Sequence, residues 1–260
     1  MIAATKTSEA ELAEQKGDAP HSIWQTKAKQ FADLKSVGMD VDSYIAEVYL
    51  DKLRKWLPVK NALIFDSVIV ACLSSLNSQE SEFKMGRLLK RKLISSQVAT
   101  IEKLERIGFI GHVQNDCCPR GHYFGVIFDL CDRKATFFDD WYHQPHKSAD
   151  HLEVFGAMLR FVNFVTKTND VYSKLSLMHG IYQEPGDRIC LLSVLRYFTC
   201  YFLIKQEELK RKMDAQTLRN YVHFHAKYEA MYPNKQGPEF FQQEHSYIKG
   251  KSCSDSWSAQ

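Results

Sequence analysis

Four residues of the types used in nucleophilic catalysis occur between positions 122 and 190 of the chain, in the order His122, Asp139, Gln183 and Cys190. A cysteine thiolate attacks a carbonyl carbon, a histidine moves the proton, and a carboxylate holds the imidazole ring in one tautomer. A side-chain amide such as Gln183 donates a hydrogen bond to the oxyanion that forms. Each residue alone is more often structural, so a catalytic role requires a fold that brings them together.

The pairing of His122 with Asp139 follows from two predicted strands. His122 precedes the aromatic and β-branched run 123–128, and Asp139 ends the next such run, 17 positions later. The two runs are typical of a hairpin, in which the start of one strand lies near the end of the next. Asp140 is a competing carboxylate, but strand alternation places neighbouring side chains on opposite faces, and the spacing favours Asp139.

Cys190 is predicted at the start of a long apolar helix over 188–207, after Pro185 and Gly186. A helix N-terminus carries about half a positive charge. Beside an imidazolium, a thiol there can have its pKa lowered from about 8.5 into the range of about 3.5–7.5. Gln183, seven positions earlier, and the Cys190 backbone N–H are candidate oxyanion donors, and losing one such donor typically costs about 3–4 kcal/mol of transition-state stabilisation.

These residues, in this order, resemble the ubiquitin-like-protein proteases, the group of cysteine peptidases that contains the SUMO proteases and the adenovirus protease. The segment GHYFGVIFDLCDRKATFFDD is similar to the family's His-aromatic block and the strand after it. YQEPGDRICLLSVLRYF resembles the block that opens the catalytic helix, and IFDSVIVACLSSL resembles the upstream Asn-Asp-x-x-Ile helix. The resemblance covers about residues 45–205 and depends on order and spacing more than on identity.

The resemblance implies that Cys190 is the nucleophile, His122 the general base, Asp139 the orienting acid and Gln183 the oxyanion donor. The positions expected to bind substrate are Tyr123, Trp56 and Trp141. The activity it implies is hydrolysis after the C-terminus of a ubiquitin-like modifier such as SUMO (deSUMOylation), or at a Gly-containing precursor site. It implies no metal and no cofactor.

Three departures from the family pattern keep alternatives open. Leu191 follows the nucleophile where the family has glycine, Ile189 precedes it where the family has aspartate, and Leu63 stands where the family has a tryptophan. One alternative is a catalytically silent relative that binds a ubiquitin-like modifier or acts as a scaffold. Another is an acyltransferase on the same fold.

The order of predicted elements indicates an α+β fold with a small mixed sheet packed between helices, as in papain-like and adenain-like cysteine proteases. The expected helices or helical segments are 22–36, 42–57, 63–76, 84–106, 150–167, 188–207 and 213–231, and the expected strands are 109–113, 123–128, 135–138 and 175–182. We expect a frayed N-terminal tail over 1–20, a single domain over 21–235 and a C-terminal tail over 236–260.

Composition restricts the partners. The chain has 260 residues and a net charge of +3. Its acidic and basic residues are too nearly balanced in number to indicate nucleic acid as the main partner. A basic cluster leaves nucleic acid possible, although a solvated helix face is the preferred interpretation; its members are Lys84, Arg87, Lys90, Arg91 and Lys92. The most apolar stretch, 189–204, has 16 residues, shorter than the roughly 20 that span a bilayer. No membrane partner is therefore expected, and the oligomeric state is left open.

The seven cysteines are odd in number and irregularly spaced, which predicts free thiols in a reducing compartment, cytoplasmic or nuclear. The N-terminal segment lacks the apolar core of a secretory signal. A zinc site is the weaker interpretation of the cysteines and histidines in the middle of the chain, because their spacing lacks the paired ligands of a structural site. The residues concerned are Cys117, Cys118, His112, His143 and His146.

Overall fold

The computed structural model describes residues 41, 43–57, 60–76, 81–115, 118–139, 149–168, 174–179, 189–203 and 214–231. The helices are α1 (Ser43–Trp56), α2 (Ser67–Ser74), α3 (Ser81–Ser95), α4 (Ala149–Thr166), α5 (Cys190–Phe202) and α6 (Ala215–Met231). The strands are β1 (Ala62–Phe65), β2 (Arg106–Asn115), β3 (Cys118–Asp129), β4 (Lys134–Asp139) and β5 (Lys174–His179), and a short 3-10 helix spans Ile101–Lys103. Within this part of the chain, no helix is long and apolar enough to cross a bilayer.

The five strands form one mixed sheet in the order β1-β2-β3-β4-β5. β2, β3 and β4 form an antiparallel meander, and the edge strands β1 and β5 each lie parallel to their neighbour. The predicted hairpin is therefore present as β3 and β4, with Gly125 opposite Phe138 and Asp129 opposite Lys134. The α+β fold class expected from the element order is confirmed.

Helices cover both faces of the sheet, and each face has its own hydrophobic core. On one face, side chains of α1, α5 and α6 pack against alternate sheet residues such as Ile110, Ile127 and Phe138. On the other face, α2, α3 and α4 pack against the intervening residues, including Val126 and Phe137. The period-two alternation of the strands thus supplies both cores, because neighbouring side chains point to opposite faces.

α5 packs closely on the middle of the sheet because β3 has a glycine beneath it. A Cβ atom on Gly125 would lie 2.8 Å from Cε1 of Phe198 and 3.0 Å from Cγ1 of Val194, both on α5. The missing side chain lets the backbone of α5 approach β3 directly. That approach sets the height of the helix over the strand that carries His122.

The expectation of one helix over 63–76 is wrong. Residues 62–65 form β1, which pairs with β2 and is fully buried, and the helix begins only at Ser67. Asp66 separates the two elements, because its carboxylate accepts a hydrogen bond of 3.0 Å from the Ile69 backbone N–H as an N-cap. The apolar run that resembled one continuous helix is a buried strand followed by a short capped helix.

The expected helical segment 84–106 also ends early, since α3 stops at Ser95 and β2 starts at Arg106. The remaining predicted helices and strands in the described ranges are present, with ends that differ by a few residues. The expected helix over 22–36 and the two expected tails lie outside the described residues. Residues 232–235, at the end of the expected domain, also lie outside them.

Candidate active site

His122 and Asp139 meet at one end of the β3–β4 hairpin. Gly125 lies opposite Phe138, so continuing that register puts Phe124 opposite Asp139 and His122 diagonal to it on the same face. His122 Nε2 lies 2.8 Å from Oδ1 of Asp139, and both side chains are buried. The carboxylate therefore holds the imidazole ring by one nitrogen and leaves Nδ1 for another partner.

That other partner is Cys190, the first residue of α5, whose side chain hydrogen-bonds with His122. The thiol is partly exposed, whereas Cys200 in the same helix is buried. The structure thus brings together three of the four residues predicted to be catalytic. The Asp139 carboxylate, the His122 imidazole and the Cys190 thiol lie next to one another in that order. Gln183 lies outside the described residues, as does the competing carboxylate Asp140.

The environment of His122 favours its protonated form. Burial is the largest single influence on the pKa of His122 and lowers it, because a low-dielectric site disfavours the imidazolium. Hydrogen bonds to Asp139 and Cys190, together with electrostatic attraction to the same two groups, act in the opposite direction and raise the pKa to about 9. His122 therefore carries a proton at neutral pH, beside the partly exposed sulfur atom.

A glycine and a second histidine shape the backbone in front of His122. Gly121 has a φ of +82°, a conformation that side-chain-bearing residues rarely adopt. A Cβ there would lie 2.0 Å from Nε2 of His112, so the half-buried His112 ring occupies the space that a side chain would need. Burial and the nearby charge of His122 both lower the pKa of His112, so His112 stays neutral while His122 is charged.

His151, in the first turn of α4, is a buried neighbour of the site that the sequence analysis did not identify. Its ring centroid lies 4.9 Å from that of Phe124 and 6.3 Å from that of His122. Both histidines are buried, with 4% of each exposed. The position of His151 in the first turn of a helix gives no local signal, since only tertiary packing brings it to β3.

The start of α5 offers a backbone donor for an oxyanion. The first amides of a helix have no intrahelical acceptor, and the N-cap residue Ile189 has no polar side chain to bind them; it makes no side-chain capping hydrogen bond. The Cys190 N–H is therefore a candidate donor. Leu191, where the family has glycine, is 1% exposed and belongs to the core formed with α1 and α6. Its side chain packs inside the protein and not over the exposed side of the sulfur.

Two of the residues expected to bind substrate lie in described parts of the chain, on different elements. Tyr123 follows His122 in β3, and its ring centroid lies 4.5 Å from that of His112. Trp56 ends α1 and packs edge-on against Tyr49, with ring centroids 6.4 Å apart. Trp141 lies outside the described residues.

Among the described residues, no group of histidine, cysteine and carboxylate side chains is arranged to hold a metal ion. Of the residues weighed for zinc, the side chain of His112 is described, and it packs against Gly121 and Tyr123. Cys117, His143 and His146 lie outside the described residues, and the side chain of Cys118 is not described.

Comparison with solved structures places this fold among cysteine proteases. The SUMO protease Ulp1 with its catalytic cysteine oxidised to a sulfonic acid aligns with a TM-score of 0.59 and 18% identity, over 78% of this chain and 84% of that chain. The C-terminal Ulp1 protease domain in complex with Smt3, the yeast ortholog of SUMO, aligns at 0.54 and 19% identity, over 76% and 81%. No protein-family model matches the sequence, and no curated protein sequence matches it.

A third similar structure is the catalytic domain of the Chaetomium thermophilum Ulp1-like SUMO protease, with a TM-score of 0.54 and 12% identity, over 79% of this chain and 77% of that chain. The chain therefore has the Ulp1-like cysteine protease fold, which confirms the fold expected from the resemblance.

Proposed function

We propose that this protein is a cysteine peptidase that hydrolyses the bond after the C-terminus of a ubiquitin-like modifier such as SUMO. The observation that carries the proposal is the hydrogen-bonded series Asp139, His122 and Cys190, in which only the thiol is partly exposed. A histidine with a purely structural role is not expected to bind a carboxylate through one ring nitrogen and a thiol through the other. The Ulp1-like fold supports the same chemistry.

In the proposed reaction, the Cys190 thiolate attacks the carbonyl carbon of the scissile bond and forms a tetrahedral oxyanion. The Cys190 N–H and the Gln183 side chain donate hydrogen bonds to that oxyanion. Protonated His122 then gives its proton to the leaving amine, and the C–N bond breaks to leave a thioester. Neutral His122 next takes a proton from water, which attacks the thioester, releases the carboxylate and restores the thiolate.

Asp139 acts on the ring and not on the substrate. By holding Nε2 at 2.8 Å, it fixes the direction of Nδ1 toward Cys190 and stabilises the imidazolium in the low-dielectric site. The pKa of about 9 for His122 supports this role, because a general acid must still carry its proton when the amine leaves.

The proposed substrate class comes from the structural neighbours together with the chain's own aromatic residues. One neighbour is in complex with the yeast ortholog of SUMO. Tyr123, directly after the proposed catalytic histidine, is proposed to contact the extended tail of such a modifier, with Trp56 and Trp141 as further contacts. Cleavage of a precursor protein at a Gly-containing site is the alternative within the same reaction class. The free thiols support a reducing compartment, cytoplasmic or nuclear.

A panel of ubiquitin-like modifiers with a thiol-reactive group at the C-terminus tests the proposal by intact-protein mass. One modifier should add once to the wild type and not to Cys190→Ala. Cys72→Ala, which removes an exposed thiol from α2, is the matched control and should still form the adduct. An adduct retained by Cys190→Ala would overturn the assignment of the nucleophile.

The same panel separates the alternatives. A modifier that binds the wild type without forming an adduct would contradict the peptidase proposal and favour the silent binding module. Acyl transfer from an acyl-thioester donor to a lysine peptide, with no modifier adduct, would favour the acyltransferase instead.

A further inference from the structure

The outward side of α3 carries apolar and basic side chains in a single line. Phe83, Arg87, Lys90 and Ile94 recur at intervals of four, three and four residues, which places them on one face of the helix. The line is about 16 Å long, at 1.5 Å per residue. The opposite face of α3 holds the buried Met85 and Leu89, and Gly86 faces Phe164 of α4. We call these four residues the α3 stripe.

The ends of the α3 stripe are unusually exposed for large apolar side chains. Phe83 is 72% exposed and Ile94 is 71% exposed, and Arg87 lies over the Phe83 ring at 5.7 Å. Lys84 and Arg91 are also exposed and flank the stripe. Lys92, the fifth member of the basic cluster, lies on another side of the helix, 3.8 Å from the Asp66 carboxylate. The stripe therefore combines protruding apolar groups with positive charge and has no acidic member.

The α3 stripe lies away from the candidate active site. α3 meets α4 at Phe164 in the last turn of that helix, whereas His151 in the first turn lies beside His122. These two positions on α4 are 13 residues apart, about 20 Å along the helix. A partner bound at the stripe would therefore leave Cys190 accessible.

We propose that the α3 stripe is a peripheral docking surface for a bilayer rich in anionic lipid. Phe83 and Ile94 would enter the boundary between headgroups and acyl chains, while Arg87 and Lys90 bind the lipid phosphates from the same helix face. The contact is peripheral and involves no spanning segment. It departs from the expectation of no membrane partner, which considered spanning segments, and it is independent of the proposed peptidase activity.

A bilayer fits the α3 stripe better than a protein helix or a nucleic acid does. A partner helix packed on the stripe would take Arg87 and Lys90 out of water at the centre of the contact, which is costly without well-placed partners for both charges. At a bilayer surface the same side chains reach the hydrated headgroups by extending their aliphatic stems. A nucleic acid would use the cations and would leave Ile94 without a role.

Vesicle co-sedimentation of the full chain tests the proposal, with phosphatidylcholine alone against phosphatidylcholine containing about 30% phosphatidylserine. The wild type should partition at least roughly tenfold better onto the anionic vesicles, and added salt should weaken binding. Phe83→Ser with Ile94→Ser should lower partitioning by roughly tenfold or more. Arg87→Gln with Lys90→Gln should lower it by roughly twenty-five-fold, about fivefold for each cation.

Matched controls remove the same groups from other surfaces. Val68→Ser with Leu152→Ser removes two exposed apolar side chains from α2 and α4. Lys52→Gln with Lys55→Gln removes two cations from α1, on the other face of the sheet. Both double variants should bind vesicles like the wild type.

Equal binding to both kinds of vesicle, or equal loss in stripe and control variants, would overturn the proposal. A duplex DNA competitor provides the last comparison. Binding to DNA that depends on Arg87 and Lys90 but not on Phe83 and Ile94, without vesicle binding, would assign the surface to nucleic acid and reject the bilayer.

Discussion

His122 binds Asp139 through Nε2 at 2.8 Å, and both side chains are buried on one face of the β3–β4 hairpin. The two strands reach this arrangement through their antiparallel register, while Cys190 reaches the same ring from a separate element, the N-terminus of α5. The position of the imidazole relative to its carboxylate is thus set by the β3–β4 register. The distance to the sulfur depends on how α5 packs on β3.

Asp139→Asn should reduce kcat/KM by about a hundredfold or more, because an amide neither fixes the same tautomer nor stabilises the imidazolium. Steady-state kinetics on the modifier substrate measures the loss. Asp140→Asn is the matched control, because it removes the neighbouring carboxylate that the sequence offers as the competitor of Asp139. Equal losses in the two variants would show that Asp139 is not the orienting carboxylate.

The basic limb of the pH–rate profile should follow the loss of the proton from His122. Because the pKa of His122 is raised to about 9, the general acid keeps its proton at neutral pH and loses it as the pH rises through about 9. kcat/KM should therefore fall above about pH 9, as measured with the fluorogenic amide of the modifier. A decline centred near pH 6.5, the ordinary value for histidine, would contradict the environment described for this ring.

The free energy of unfolding should also depend on the protonation of His122. The pKa of His122 is higher in the folded state, about 9, than the ordinary value of 6.5 expected in the unfolded state. The stabilisation is therefore fully present below about pH 6.5 and is lost as the pH rises through 9, by about 3 kcal/mol at most. Urea unfolding at pH 6, 7.5 and 9 measures this decline. His122→Ala should flatten the pH dependence over that interval; an unchanged slope would assign the decline to other groups.

The packing of α5 on β3 can be tested with one methyl group. Gly125→Ala would place a Cβ 2.8 Å from Phe198, so we expect a loss of about 1–3 kcal/mol and a lower kcat as α5 shifts. Gly156→Ala on α4 is the control, because the nearest atom to its added Cβ, Nη1 of Arg160, lies 3.8 Å away. That variant should gain up to about 1 kcal/mol from helix propensity. Thermal unfolding compares the two, and equal stability would contradict the close approach.

The parts of the fold that could be predicted from sequence are those with a long regular pattern. The alternation in β3 and β4 predicted the hairpin, and the hairpin brought His122 and Asp139 together. The apolar run after Asn61 could not be assigned in the same way, because four apolar residues fit a buried strand and a helix equally well. Only pairing with β2 decides that Ala62–Phe65 is a strand.

The neighbours of the site could not be predicted because they depend on tertiary packing. His151 lies on α4, and nothing in its local sequence indicates that it packs on Phe124. His112 lies on β2, and its contact with Gly121 depends on the β2–β3 register and on the positive φ of that glycine. Cys190 was placed from a local signal, the start of an apolar helix, but its contact with His122 required the packing of α5 on the sheet.

The rate of alkylation of Cys190 by iodoacetamide at pH 6.5 tests the central claim most directly, because it needs no knowledge of the substrate. Peptide mass spectrometry would follow Cys190 together with the exposed thiols Cys72 and Cys131 in the same sample. If His122 carries its proton beside the sulfur, Cys190 should react at least about tenfold faster than the two exposed cysteines, and His122→Ala should abolish the difference. Reaction of Cys190 no faster than Cys72, or a rate unaffected by His122→Ala, would contradict the account of a Cys190–His122–Asp139 catalytic site.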